Sequence, residues 1–171
     1  MKWGFIPSWA KDPAAGYKMI NARSETIAEK ASFRAAFRKK RCFIIADSFY
    51  EWNRKNGTNT PMRIRLKKDK LFAMAGIWDK WVDASGKPVF TCAILTTKAN
   101  GLMAEIHDRM PVILRKEDEE KWLDPRLTNP DELLPLLKPY DSSKMEAYEV
   151  PDLVNSPKNN TPELLLPKKQ T

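Results

Sequence analysis

The stretch LFAMAGIWDKWVDASGKPVFTCAILT, residues 71–96, decides the fold of this chain. Two apolar runs, residues 71–78 and 89–96, flank the segment DASGKP, which contains Gly86 and Pro88. Apolar runs that are joined by a short segment with glycine and proline are typical of a β-hairpin. The sequence therefore predicts two adjacent antiparallel strands in the middle of the chain.

A helix is predicted over residues 26–39, upstream of the hairpin. Thr26 and Glu29 have the T-x-x-E spacing of a capping box, in which each side chain satisfies a free backbone amide of the first turn. Phe33 and Phe37 lie four residues apart and therefore share one face of such a helix. The two features together favour a helix with one apolar face.

The other predicted elements are short. Met62, Ile64 and Leu66 alternate with basic residues, as in a strand with one exposed face. Patterned runs of similar length predict further strands at 42–46, 111–114 and 145–150 and short helices at 117–123 and 130–137. Strands in runs with helices grouped apart from them indicate an α+β fold. We expect a curved, mostly antiparallel and barrel-like sheet that is flanked by short helices.

The composition favours a globular protein with an anionic partner. The chain has 171 residues, 42% of them hydrophobic, and its 30 Lys and Arg exceed its 22 Asp and Glu by eight charges. Such an excess favours nucleic acid as a partner, although an unspecialised basic protein has the same charge. No apolar run reaches the roughly 18–20 residues of a membrane span. The N-terminus also lacks the apolar core of a signal peptide, so we expect a cytoplasmic protein that does not bind membranes.

The ends of the chain bear on the domain limits. The opening stretch contains four large apolar side chains, those of Trp3, Phe5, Ile6 and Trp9. Chain ends are usually loose and polar, so we expect a further segment before Met1. The sequence predicts a single domain over residues 1–165, followed by a loose tail at 166–171.

Two side chains suit acid–base chemistry. His107 is the only histidine, and an imidazole can give or take a proton near pH 7. The alternative is a structural histidine that is hydrogen-bonded to Asp108 or to backbone. Glu51 lies among the aromatic residues of DSFYEW, where low-dielectric surroundings would raise its carboxyl pKa and suit a general acid. The alternative is a carboxylate at the rim of a strand.

Asn21, Arg23 and the two cysteines are less specific candidates for a functional site. Asn21 can hold an amine or a carbonyl through its amide, and Arg23 can bind a phosphate through two hydrogen bonds. A turn and a surface ion pair are plausible alternatives. Cys42 and Cys92 lie in apolar runs and are interpreted as structural residues rather than nucleophiles. Two distant cysteines and one histidine lack zinc-binding spacing, so no metal or cofactor is expected.

Basic and aromatic residues together could hold a nucleic acid. Arg34 and Arg38 form a basic stripe that runs into residues 39–41, and this stripe could follow a phosphate backbone. Five tryptophans could supply stacking platforms for bases, namely Trp3, Trp9, Trp52, Trp78 and Trp81. Core packing is the alternative, and it is the better interpretation for most of them.

Six motifs in order along the chain resemble a known family. They are WGFIPSWA, INARSET, RCFIIADSFYEW, ILTTKAN, IHDRMPVIL and VPDLVN. Their order and spacing resemble the SOS-response-associated peptidase family, whose members shield abasic sites. The resemblance extends from Trp3 to about Leu165, and the combination of INAR with HDRMP is hard to obtain by chance.

The resemblance implies covalent chemistry on single-stranded DNA that carries an abasic site. In this family an N-terminal cysteine is exposed by self-removal of the initiator Met. Its α-amine attacks the ring-opened sugar aldehyde to form a Schiff base, and its thiol then closes a thiazolidine. A Schiff base also permits weak strand-cleaving lyase activity. Such a protein would be cytoplasmic and associated with the nucleoid through DNA.

The resemblance also assigns roles to residues of this chain. It implies that Asn21 orients the amine and the adduct, that Glu51 shuttles protons, and that His107 assists opening of the sugar ring. It further implies three DNA contacts, those of Arg23 with a flanking phosphate, Thr96 in the site and Trp9 near the lesion.

The chain departs from the family at the nucleophile. Position 2 is Lys2, whereas the family has its cysteine several dozen residues before WGFIPSWA. We therefore expect that covalent activity is lost in this chain, as a fragment or a natural short form, and whether it is an enzyme stays open. The alternatives are a non-covalent single-stranded DNA-binding module and a hydrolase that uses Cys42 or Cys92. The sequence does not determine the oligomeric state, for which a monomer is the default.

Overall fold

Short helices and strands follow one another in the computed structural model, which describes residues 1–168 apart from the side chain of Asn56. In chain order they are β1 (Lys2–Trp3), α1 (Ala15–Lys18), β2 (Asn21–Arg23), α2 (Arg34–Lys39), β3 (Arg41–Ala46), β4 (Phe49–Asn53), β5 (Thr60–Leu66), β6 (Phe72–Val82), β7 (Pro88–Lys98), β8 (Arg109–Pro111), α3 (Lys116–Leu123), α4 (Pro130–Leu133) and β9 (Met145–Glu149). Short 3₁₀ helices lie between them at Ser24–Thr26, Lys55–Gly57, Met103–Glu105, Leu134–Leu136, Ser142–Lys144, Asp152–Asn155 and Pro162–Leu165. Within residues 1–168, no helix has the length and hydropathy needed to cross a membrane.

The chain divides into two compact units. The first unit comprises Met1–Ile45, Ala73–Thr97 and Pro111–Tyr140. The second unit comprises Ala46–Phe72, Lys98–Met110 and the described part of Asp141–Thr171. One domain over residues 1–165 stays a prediction. Part of the predicted tail, residues 169–171, lies outside the described residues, whereas the Lys168 amide donates to the Glu149 carbonyl at 2.9 Å.

Strand β7 is the centre of the sheet in the first unit. It pairs antiparallel with β6 along one edge, which confirms the predicted hairpin. Along its other edge it pairs in parallel with β1 and then with β2, so that Trp3 lies opposite Cys92 and Arg23 opposite Thr96. The sequence did not predict these parallel strands, because two or three residues are too few for an alternating pattern.

Short helices cover one face of this sheet. The core cluster of the first unit joins Ala22 of β2 and Leu95 of β7 to Phe33, Phe37 and Trp122 of the helical layer. Side chains alternate between the faces of a strand, so the residues on either side of Ala22 and Leu95 project away from this core. The fold is therefore α+β, with mostly antiparallel strands flanked by short helices, as predicted.

A buried arginine satisfies the ends of two helices. Arg41, 9% exposed, donates hydrogen bonds to the carbonyl oxygens of Phe37 and Arg38 at the end of α2. It also donates at 2.6 Å to each of the carbonyl oxygens of Trp122 and Asp124 at the end of α3. The last carbonyls of a helix have no partner within the helix, so one side chain here replaces two separate caps.

The helix predicted over residues 26–39 is shorter in the structure. It begins at Arg34, and the predicted capping box is wrong, because the Thr26 hydroxyl is buried with no hydrogen-bond partner within the described part of the chain. Ile27 and Phe33 explain the break, since both belong to the core cluster. Six residues of continuous helix would turn the two side chains about 120° apart, which leaves one of them outside the core. Both phenylalanines of the predicted apolar face are buried.

The second unit contains an antiparallel sheet in which β5 pairs with β4 and β9. The strand predicted around residue 64 is confirmed, but Arg63 is buried rather than exposed. Its guanidinium donates to the Ser48 hydroxyl, the Tyr148 hydroxyl and the Leu165 carbonyl and forms an ion pair with Asp47 at 3.3 Å. These acceptors replace water around the charge, which makes burial of this arginine tolerable.

Two glycines allow the loop between β1 and β2 to close. Gly4 has φ of 118°, and a Cβ atom built there would lie 2.8 Å from the carbonyl oxygen of Gly16. A Cβ atom on Gly16 would lie 2.9 Å from the carbonyl oxygen of Gly4. The two backbones therefore touch, and a side chain at either position would push them apart.

We predict that Gly4→Ala lowers the free energy of unfolding by about 3 kcal/mol, because strain at positive φ adds to a clash with a backbone oxygen. Gly86→Ala is the matched control. Gly86 also has positive φ, at 84°, but its added Cβ would meet nothing within 4 Å, so the expected loss is about 1–2 kcal/mol. Urea unfolding of both variants measures the difference, and equal losses would contradict the close approach of Gly4 to Gly16.

Candidate functional site

The two acid–base candidates lie near each other in the second unit. Glu51 is half-buried in the middle of β4, opposite Met62 of β5. Burial raises the pKa of the Glu51 carboxyl, in the direction expected from its aromatic neighbours, while His107, the Trp52 amide and Arg54 act against this rise. Among these, the His107 charge has the largest effect on Glu51. The fold therefore brings two distant motifs within electrostatic reach.

The imidazole of His107 is held at one nitrogen. Its Nδ1 lies 3.0 Å from the amide nitrogen of Arg109, 3.3 Å from the carbonyl oxygen of Arg109 and 3.2 Å from Oδ1 of Asp108. In the neutral ring the Arg109 amide can donate to Nδ1, which leaves the proton on Nε2. In the protonated ring Nδ1–H can donate to the carbonyl or the carboxylate. These contacts fit both the structural interpretation of His107 and an acid–base role for Nε2.

His107 lies in the wall of an open basic cleft. The cleft has a volume of about 620 Å³ and is lined by Arg54, Lys55, Lys98, Ala99, Ala104, Ile106, His107 and Asp108. Arg54, Lys55 and Lys98 are cationic and Asp108 is a carboxylate. Lys55 pairs with Glu105 at 2.9 Å, so Arg54 and Lys98 are the cations that an anion in the cleft would meet. Sequence reasoning missed Arg54 and Lys98, although Arg54 follows Glu51 by three residues.

Asn21, Arg23 and Thr96 lie on one face of the sheet in the first unit. In the parallel pairing of β2 with β7, Arg23 is opposite Thr96 and Asn21 is opposite Ile94, and paired residues project to the same side. Asn21 and Arg23 are exposed, whereas Ala22 between them is 1% exposed and faces the core. We name the exposed side, with Asn21, Arg23 and Thr96, the amide face. It presents hydrogen-bonding groups and a cation to solvent.

Trp9 is held out into solvent by contacts on either side of it. The side chain is 65% exposed. The Ser8 amide donates to Oδ2 of Asp79 at 2.8 Å, and the indole N–H of Trp81 donates to the Ala10 carbonyl at 2.7 Å. Strand β6 therefore fixes the residues before and after Trp9. Sequence reasoning missed Asp79, since a single carboxylate in an apolar run has no motif.

The tryptophans are less buried than core packing requires. Trp3 is 56% exposed and Trp9 65%, so core packing is wrong for these two, and the other three candidates are half-buried. Trp122, which the sequence did not single out, is fully buried, and its indole N–H donates to the Cys42 carbonyl at 3.0 Å.

The two cysteines have the properties of structural residues. Burial, with a smaller effect of Cys92, raises the pKa of the Cys42 thiol to about 12, and burial also raises the pKa of Cys92. Little thiolate exists at neutral pH at such a value, so Cys42 is a poor nucleophile. Cys92 lies near enough in space to act on the Cys42 thiol, although the two cysteines are distant in the sequence. No metal-binding group of three or more His, Cys, Asp or Glu side chains occurs within residues 1–168.

Comparison with known proteins gives a consistent set of relatives. The family model described as "SOS response associated peptidase (SRAP)" matches residues 1–157. The chain is 60% identical over 166 residues to the abasic site processing protein YoqW of Bacillus subtilis (strain 168), an alignment that covers 96% of this chain and 74% of YoqW. It is 36% identical over 198 residues to the abasic site processing protein HMCES of Rattus norvegicus, covering 98% of this chain and 56% of HMCES.

Solved structures agree with this assignment. A crystal structure of a protein from Bacteroides thetaiotaomicron superposes with a TM-score of 0.91 at 38% identity, covering 98% of this chain and 75% of that one. A protein from Bordetella bronchiseptica has a TM-score of 0.78 at 30% identity, covering 87% of this chain and 75% of that one. Since the family model matches most of the sequence and close relatives match nearly all of it, this chain belongs to the SOS response associated peptidase (SRAP) family.

Proposed function

We propose that this protein binds single-stranded DNA at abasic sites and transfers protons at the sugar with Glu51 and His107. The observation that carries the proposal is the placement of both groups in the second unit, with His107 in the wall of the basic cleft and near enough to Glu51 for its charge to act on the carboxyl. They are the acid–base candidates of the sequence, and the chain is 60% identical to an abasic site processing protein. An abasic sugar is a cyclic hemiacetal whose conversion to an aldehyde needs both a proton donor and a proton acceptor.

Opening of the sugar ring is the step that we assign to His107. The C1′–O4′ bond breaks, O4′ takes up a proton, and the C1′ hydroxyl gives its proton to the Glu51 carboxylate to leave an aldehyde. Protonated His107 would give the Nε2 proton to O4′, because its Nδ1 is already held by Arg109 and Asp108. After this transfer the neutral ring keeps its Nδ1 proton, which the Arg109 carbonyl or Asp108 accepts. Movement of that proton to Nε2 restores the tautomer that accepts from the Arg109 amide.

Later proton transfers are assigned to Glu51. When an amine has added to the aldehyde, the resulting carbinolamine loses its hydroxyl as water, and protonated Glu51 would supply the proton. The carboxylate that remains would then take the thiol proton when sulfur bonds to C1′. A raised pKa suits both steps, because the acid form persists closer to neutral pH and the carboxylate is a stronger base.

DNA binding is assigned to the amide face and to Trp9. Arg23 would hold a phosphate by two hydrogen bonds, Thr96 would contact the DNA, and Trp9 would stack on a base near the lesion. Asn21 would orient an amine through its amide oxygen. The exposure of Asn21, Arg23 and Trp9 and the net charge of +8 support this assignment.

The covalent step needs an N-terminal cysteine, because both its α-amine and its thiol react. Cys42 and Cys92 lie within strands and have no free α-amine, so neither can take this role. We therefore propose non-covalent binding for these 171 residues and thiazolidine formation for a form that carries the cysteine. A single-stranded DNA-binding module without chemistry is the second candidate, favoured by the net charge of +8 and the exposure of Arg23 and Trp9.

The first test compares this chain with a chimera that carries, before Met1, the N-terminal segment of a relative beginning with Met-Cys. Both should bind a single-stranded oligonucleotide with one abasic site more tightly than its undamaged copy, measured by fluorescence anisotropy. Only the chimera should form an adduct that survives a denaturing gel. The chimera with Cys→Ala is the control for the nucleophile.

His107→Ala in the same chimera should slow adduct formation about 100-fold or more, the usual size of an acid–base effect, with binding unchanged. A chimera that forms no adduct, or binding without preference for the abasic site, would contradict the proposed function. Equal losses of rate and binding would remove the assigned role of His107.

Glu51→Gln tests the environment of the carboxyl in the chain as it is. A raised pKa in the folded state means that protonated Glu51 stabilises the fold below the pKa of the unfolded chain and that this contribution is lost as pH rises. The stability of Glu51→Gln relative to the native chain should therefore increase with pH above about 4. Asp124→Asn should instead lose stability relative to the native chain as pH rises from about 2 to about 4, since the hydrogen bonds from Arg126 lower the pKa of Asp124 to about 2. Urea unfolding across pH measures both, and parallel pH profiles would contradict the burial of Glu51.

Arg23→Ala tests the phosphate contact. Binding of single-stranded DNA should weaken, and the slope of log affinity against log salt should flatten by about 0.7, the contribution of one phosphate. Arg126→Ala is the control, because Arg126 is exposed and paired with Asp124 at 2.9 Å. An unchanged slope for Arg23→Ala would exclude this contact.

A further inference from the structure

A second basic surface lies on the helical layer of the first unit. Arg34, Arg38 and Lys39 of α2 are exposed and, with Ala35, line an open cleft of about 500 Å³. We name these three cations the α2 surface. No carboxylate occurs in the sequence between Glu29 and Asp47, a stretch that holds six cations, Lys30, Arg34, Arg38, Lys39, Lys40 and Arg41. Helix α2 is therefore the most one-sided part of the charge distribution in this unit.

Two of the six cations are compensated inside the fold. Lys40 pairs with Asp79 at 2.5 Å, and Arg41 is turned inward to the carbonyl oxygens at the end of α2. Within residues 1–168 the three cations of the α2 surface form no ion pair. Their charge is therefore available to an anion from outside.

The α2 surface is separate from the amide face. Phe37 of α2 and Phe33 just before the helix pack on the side of the sheet to which Ala22 and Leu95 point. Arg23 alternates with Ala22 and projects to the opposite side. The sheet and its core therefore lie between the two surfaces, and a strand bound flat on one of them does not contact the other.

We propose that Arg34, Arg38 and Lys39 form a second binding surface for DNA, one that holds the phosphate backbone of an undamaged duplex segment. One helical turn places Arg34 and Arg38 about 6 Å apart along the axis of α2. Phosphates of one strand follow each other about every 3.4 Å along a duplex, so the two arginines span about two of them. Guanidinium groups bind phosphates through paired hydrogen bonds, and the small side chain of Ala35 leaves room for the backbone to approach.

This surface goes beyond the proposed function, because it reads neither a base nor a lesion. Backbone contacts carry no sequence information, so the α2 surface should bind any duplex with strong salt dependence. It would keep the protein on DNA while the amide face engages a single strand. The proposal concerns undamaged DNA and does not depend on the chemistry assigned to Glu51 and His107.

The test is a triple variant, Arg34→Gln with Arg38→Gln and Lys39→Gln, in the full chain. Affinity for a long undamaged duplex should fall at least about tenfold at low salt, and the salt slope should flatten by about 2–3. The matched control removes the same three charges from another part of the unit, by Lys116→Gln, Lys121→Gln and Arg126→Gln. Its slope should stay within about 0.5 of the native slope, and both variants should melt at the native temperature.

Several outcomes would overturn the proposal. Equal losses in the two triple variants would mean that only net charge matters, and unchanged binding would remove the surface altogether. If the triple variant lost as much affinity for a short abasic oligonucleotide, the α2 surface would be part of the lesion-binding site and not a second surface. Native DNA binding with lost binding to anionic vesicles would assign the surface to membranes. Arg34→Lys with Arg38→Lys should retain the native salt slope, which separates loss of charge from loss of fold.

Failure of the proposed function is a different result. It is measured on the short abasic oligonucleotide, with Arg23→Ala and the chimera, and it leaves the duplex measurement unaffected. A protein without abasic-site preference whose triple variant still loses duplex binding would keep the α2 surface and lose the lesion chemistry.

Discussion

The pairing of β7 along both of its edges determines where the rest of the first unit can lie. Strand β6 occupies one edge, and β1 and β2 share the other, end to end. This register directs Arg23 and Thr96 to one side and Ala22 to the core. A shift by one residue would exchange the two sides, so the binding groups depend on the same pairing that builds the core. The loop that carries Trp9 connects β1 to β2, so both of its ends lie beside β7.

In the second unit, the proton affinity of Glu51 and the orientation of His107 have different physical origins. The affinity of Glu51 for a proton comes mainly from burial, which disfavours the charged form. His107 is instead defined by hydrogen bonding, because Arg109 offers a donor and an acceptor to the same Nδ1. The ring can therefore change its protonation state without losing its anchor. A substitution of His107 therefore leaves Glu51 half-buried, and a substitution of Glu51 leaves the Arg109 contacts of His107 in place.

Much of this architecture could be predicted from the sequence, and the failures have physical causes. The β6–β7 hairpin and α3 follow from local patterns. The helix expected from Thr26 failed because the burial of Ile27 and Phe33 overrode a local capping signal. The exposure expected of Arg63 failed because its partners lie far away in sequence. Motifs identified the acid–base candidates, but Arg54, Lys98 and Asp79 have no signature, since only long-range packing gives them a role.

Parallel pairing at the start of the chain also constrains the order of events during synthesis. Lys2 pairs with Thr91, so β1 leaves the ribosome well before its partner strand has been made. At about 5–20 residues per second, the residues between them take on the order of 5–20 s to translate. Throughout that interval Phe5, which is 0% exposed in the folded protein, has no sheet to pack against. A nascent chain therefore offers an aromatic segment to chaperones for seconds, and the first strand docks only after the hairpin has emerged.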